Sequence, residues 1–160
     1  VAENTGGASF KIGLVAEAKP GFARVRFPDL DDLVSDWLPV AHGATLGNRQ
    51  VSTLDVNSQV GCLLDDHFET GMVVGAIYSD VDAPPTTSGD ETAYHFGQAD
   101  KMVYDREAQV LTISVGGCTV TVDGDGITVT GGDVKADGKS LKLHFHNNTQ
   151  PGSGNTGLPQ

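Results

Sequence analysis

The sequence is short of cysteine, of basic side chains and of long apolar runs, and each shortage removes a class of protein. It has two cysteines, Cys62 and Cys118. Both sit in strand-like apolar surroundings on either side of a proline-bearing stretch, which reads as two buried free thiols in a chain made in a reducing compartment. Ten Lys and Arg against 21 Asp and Glu give a formal charge of -11, the wrong sign for a partner bound by neutralising phosphates. Nucleic acid is therefore not an expected ligand. No stretch approaches the roughly eighteen consecutive apolar residues of a membrane-spanning helix. Val1 to Gly7 is polar and has no basic start before an apolar block, so no export signal is read there. The chain opens without a methionine, which leaves room for residues upstream. With 160 residues, 38% of them apolar and 6% aromatic, one domain or two small ones fit, and a large multi-lobed enzyme does not.

Glycine is plentiful, at 21 residues, with no every-third-residue period, so it belongs to turns and crowded packing. The apolar period is two almost throughout. FKIGLVAE (Phe10 to Glu17) and FARVRF (Phe22 to Phe27) form a hairpin turned by Pro20-Gly21. VSDWLPV is expected as a third strand with Trp37 anchoring the core, VGCLLDD (Val60 to Asp66) as a fourth and GMVVGAIY (Gly71 to Tyr78) as a fifth. Five short strands with a long connection before the fourth suit a small closed barrel of the oligonucleotide/oligosaccharide-binding (OB) topology. The fold class is all-β: an OB barrel over 1–80, a linker over 81–97, a repeating β segment over 98–143 and a terminal segment over 144–160.

From Arg106 onward the texture changes to strands of four to six residues ended by Gly-Gly, Asp-Gly or Gly-Asp, with near copies in TVTVDGDG and ITVTGGD. These strands are thinly apolar and too few for two packed sheets, so a lone chain leaves edges unpaired and valines exposed. A homotrimer resolves this. Three chains braid into a rod-like β-prism, and Ile113, Val115, Cys118, Val120, Val122, Ile127 and Val129 meet near its axis.

His144 and His146 flank Phe145. On an extended strand residues i and i+2 face the same way about 6.6 Å apart, so both imidazoles can turn inward. Three chains then bring six imidazoles to one octahedral site, a donor set suited to iron, nickel or copper and unlike tetrahedral structural zinc. The alternative is a pair of surface histidines. The uncharged NNTQPGSGNTGLPQ that follows reads as a compact cap or as a frayed end.

GLVAEAKPGFARVRFPDLDDLVSDWLPV, the VGCLLDDHFETGMVVGAIYSD stretch and the APPTTSGD linker together resemble baseplate assembly protein V of contractile-tailed bacteriophages and prophages. The resemblance runs from about Phe10 to the closing QPGSGNTGLPQ. It implies an OB collar, a triple-stranded β-helix and a membrane-piercing spike at the tail tip, and it places one iron ion per trimer on His144 and His146. It further implies docking on the tail hub or baseplate proteins, passage through the host outer membrane on sheath contraction, and a home in the virion after synthesis in the bacterial cytoplasm. No enzymatic activity is expected, because the sheath does the work and six imidazoles leave no open coordination position.

Other candidates have plainer explanations. Asp65, Asp66, His67 and Glu69 fit a polar hairpin turn. Asp123 and Asp125 lack the later ligands of a calcium loop. His95 is expected to pack at the mouth of the rod and His42 to sit in a loop. Neither a nucleophile elbow nor a phosphate-binding glycine loop occurs. The competing expectation is an OB module that binds a glycan or peptide on a trimeric stalk.

Overall fold

The structure, a computed structural model of the chain, describes residues 7–68 and 70–143. Among these residues it is all-β, and the one helical element is a single 3-10 turn at Pro28–Leu30. The chain divides into two compact units, Val1–Pro84 and Pro85–Gln160.

In the first unit the strands are β1 (Ser9–Lys19), β2 (Phe22–Phe27), β3 (Leu33–Val34), β4 (Leu38–Pro39), β5 (Gln59–Leu64) and β6 (Gly71–Ala76). They pair antiparallel in the order β3-β2-β1-β5-β6, with β4 also on β2. Lys19 faces Phe22 across the first hairpin. Gly21, at φ +81°, takes the left-handed position that a Pro-Gly turn needs. The sheet curls back on itself: Val40 forms a parallel bridge to Val73, and the Ala41 N–H donates to the Val73 carbonyl at 2.8 Å. Inside this curl lie Phe27, Leu38, Leu64, Val15, Val25, Val60, Val73, Ala23 and Cys62, each 2% exposed or less. Alternation accounts for the set, since Ala23, Val25 and Phe27 occupy the inward positions of FARVRF.

The expected third strand is instead two short ones separated by Ser35–Trp37. Ser35 breaks it. Its side chain is buried, and its Oγ accepts from the Val25 N–H at 2.9 Å and donates to the Asp36 carbonyl at 2.7 Å. That local bonding competes with the sheet ladder, and the next strand ends in a proline without an N–H. Trp37 is not a core anchor either. It is half-buried at the edge, with the Lys19 ammonium 4.1 Å from its ring centre, while its neighbour Leu38 fills the interior.

The second unit is a meander of five strands, β7 (Glu91–Phe96), β8 (Asp100–Asp105), β9 (Val110–Val115), β10 (Cys118–Asp123) and β11 (Gly126–Thr130), in the order β11-β10-β9-β8-β7. A small ribbon of β12 (Lys135–Ala136) and β13 (Lys139–Ser140) follows. The β9–β10 turn is Gly116-Gly117, with both φ values positive, as the tightest twist-matched hairpins require. The segment 81–97 is a linker only in its first part, because Glu91–Phe96 is a full strand paired along its length with β8. Its strand formers Thr92, Tyr94 and Phe96 fall at one parity, directly after the proline-bearing stretch that marks the linker.

Candidate assembly surfaces

The register of the second unit sorts its side chains onto two unlike faces. Directly paired residues share a face. One row runs Tyr94, Met102, Ile113, Val120, Val129, and the next holds Tyr104, Leu111, Val122 and Ile127. Val115 pairs with Cys118 on the same side. The seven positions expected to point inward therefore lie on one face. The opposite face carries two rows of hydroxyls, Thr112-Thr121-Thr128 and Ser114-Thr119-Thr130, with Ser114 and Thr119 in mutual hydrogen bond at 3.3 Å.

Nothing among the described residues covers the apolar face. Ile127 is 72% exposed and Tyr94 55%, and no described residue of this unit reaches the buried class. An apolar face this continuous marks an interaction surface. The two outer strands, β7 and β11, each have one sheet neighbour, so each also presents an edge whose N–H and C=O groups can pair with another chain.

Glycine shapes the far end of this sheet. Gly131 has φ +69°, and a Cβ there would collide with the Gly117 carbonyl, as one on Gly132 would with the Cys118 sulfur. The chain after β11 thus runs close over the β9–β10 hairpin, and a side chain at either glycine would prevent it.

The expected ligands His144 and His146 lie outside the described residues, as do the rest of the expected apex (144–160) and Glu69. Among the described residues no group of three or more His, Cys, Asp or Glu side chains converges as a metal site would require. The chain turns after Asp65: the Phe68 N–H donates to the Asp65 carbonyl, and the Thr70 hydroxyl donates to the Asp65 carboxylate at 2.8 Å. The Asp66 carboxylate accepts from the Gly7 N–H at 3.2 Å. Asp123 accepts from the N–H groups of Asp125 and Gly126, a self-contained turn. His95 is exposed and paired opposite Lys101, away from the apolar rows. His42 lies in the loop after β4, and its Nε2 is out of solvent with no hydrogen-bond partner among the described residues.

The two thiols are free, Cys62 buried and Cys118 half-buried. Burial pushes the Cys62 thiol up to about 11, which leaves it unreactive at neutral pH. The first unit also has a cleft of about 440 Å³, lined by Asp55, Val56, Tyr78 and Val81 among others.

Compared with known proteins, the chain matches no family model and no curated protein.

Proposed function

We propose that the chain is a structural component of a contractile tail: a homotrimeric spike whose second units braid into a β-prism and whose first units form a collar. In this reading the collar is an OB barrel that docks on the tail hub of a bacteriophage baseplate, and the rod is driven through the host outer membrane when the sheath contracts. The observation that carries it is the bare apolar face of the second unit, flanked by two open edges. No described residue of the chain covers it, and burying each large apolar side chain is worth roughly 1.5–3 kcal/mol. Three copies around one axis cover three such faces and pair their edges.

The OB reading is supported by the order of pairing in the first unit. β1 sits between β2 and β5, and the curl closes through a parallel contact between the segment after β4 and β6. The iron of the apex belongs to the same proposal. His144 and His146 are two residues apart in sequence, and imidazole nitrogen suits iron. Ligands that converge only in the assembled state make metal binding part of assembly. Their contribution here is to clamp the three strand ends together.

Elemental analysis of the purified assembly tests the apex. One iron per three chains, lost in the His144→Ala/His146→Ala variant, is the expected result. One metal per chain, or metal retained in the variant, would contradict it.

The cleft beside Tyr78 favours a second reading, a glycan- or peptide-binding collar on the same trimeric stalk. A glycan array answers it, with binding lost in Tyr78→Ala.

A further inference from the structure

We propose that the cleft of the first unit is a docking site for a short cationic peptide segment of another protein, one that combines lysine or arginine with apolar residues. The inference deepens the second reading given above and rests on it. Two turns frame the cleft. In the first, the Ser58 N–H and hydroxyl both donate to the Asp55 carbonyl, at 3.1 and 2.7 Å. In the second, the Ser79 Oγ accepts from the N–H groups of Val81 and Asp82 at 3.3 and 3.2 Å, and the Ser79 N–H donates to the Asp82 carbonyl at 3.1 Å. Asp55 and Asp82 thus line the cleft from different turns, with Ala76 and Tyr78 at the end of β6 completing it.

Its lining keeps apolar surface free for an occupant. Val56, Tyr78 and Val81 are 56%, 63% and 91% exposed. A volume of about 440 Å³ holds a few side chains and no folded domain. β6 is the last strand of its sheet, and its one bridge on the outer side is at Val73. The Ala76 end of β6 is therefore an edge to which an extended peptide can add as a strand. A glycan has no ladder of N–H and C=O groups to offer that edge.

Charge selects the occupant. Residues 1–84 carry twelve acidic and five basic side chains. All five cations are engaged away from the cleft: Lys11 with Asp29, Arg24 with Glu17, Arg26 with Asp32, Lys19 over the rings of Phe22 and Trp37, and Arg49 with the Leu46 carbonyl. The carboxylates of Asp55 and Asp82 have no ion pair or hydrogen bond among the described residues. Their counter-charge comes from outside the unit. A lysine or arginine supplies it and can also sit against the Tyr78 ring. A neutral sugar offers no counter-charge, and an anionic one would be repelled.

The test is fluorescence anisotropy of the full chain with labelled hexapeptides. Peptides that alternate lysine with leucine, or arginine with valine, should bind saturably and more weakly as salt rises. Replacing their lysine by glutamate, or their leucine by serine, should weaken binding by about tenfold or more. Asp55→Asn/Asp82→Asn and, separately, Tyr78→Ala should each weaken the lysine–leucine peptide by about tenfold. Asp31→Asn/Asp137→Asn removes the same charge outside the cleft, at two left-handed positions that asparagine tolerates, and should bind as the wild type does. Failure of both cationic peptides to bind overturns the proposal, as does binding that survives in Asp55→Asn/Asp82→Asn. An equal loss in Asp31→Asn/Asp137→Asn also overturns it, because attraction would then be diffuse and not seated in the cleft. If the peptides fail while a glycan binds and is lost in Tyr78→Ala, the second reading stands without this occupant. If neither binds, both fall.

Discussion

Phe27, Leu38 and their neighbours give the first unit a dry interior, whereas the second unit, whose main strands match β2, β5 and β6 in length, buries none of its described residues fully. The difference is not one of apolar content along the strands. β9 to β11 alternate as cleanly as β2. What separates the two is closure: the first sheet curls until the segment after β4 meets β6, and the second remains an open meander with every tight turn joining neighbours. An amphipathic sheet that does not close on itself needs a cover from outside. The pair therefore contrasts a unit whose described residues enclose a core with one whose apolar face, in the proposed reading, is covered by copies.

The largest effect is expected from placing a charge at the centre of the open face. Val120→Asp should abolish assembly outright, since an unpaired carboxylate would have to be buried among three apolar faces, and light scattering should show single chains. In the first unit, Phe27→Ala should cost about 3–5 kcal/mol of that unit's stability. It should lower the denaturant midpoint of the near-ultraviolet signal of Trp37 and leave the assembly mass unchanged, which is the sharpest way to show that the units are stabilised independently.

Much of this architecture is legible in the sequence. Period-two runs mark β1, β2, β5 and β6, and Gly-Gly and Asp-Gly mark the hairpins, so the shared face of Ile113, Val120 and Val129 follows from counting alone. Two features are not legible. Ser35 breaks the expected third strand by bonding inward to Val25, a tertiary preference invisible in VSDWLPV. β7 and β8 escape because β7 adjoins the polar linker, charges fall at both parities of β8 and no glycine pair brackets them. At the candidate site, residue types at His144-Phe145-His146 suggest a donor set, but the three-fold convergence proposed for them would be a property of an assembly and has no signature in one chain.

Smaller effects refine the contrast. Ser35→Ala should cost about 1–3 kcal/mol, because it strands the buried Val25 N–H, measurable by urea titration of the first unit. Gly131→Val, at a left-handed position against the Gly117 carbonyl, should cost about 1–3 kcal/mol and lower the melting temperature of the rod while leaving the first unit's unchanged. pH separates the units last. With its folded value raised by burial from 9.0 to about 11, Cys62 stabilises the first unit fully below pH 9, and that contribution should fade as pH rises from 9 to 11. In the second unit the Asp133 carboxyl is held below its usual range, chiefly by the Ser140 hydroxyl and also by the Lys142 N–H and Lys135. Its small contribution should be present at neutral pH and disappear as acid protonates it below about pH 4, seen as faster hydrogen exchange at Leu141 and Lys142.

The mass of the native chain in solution bears most directly on whether the second unit borrows its interior from copies. Light scattering at micromolar concentration should return about 50 kDa, three times the 16.7 kDa of one chain. A stable, fully folded particle of one chain mass would contradict the account.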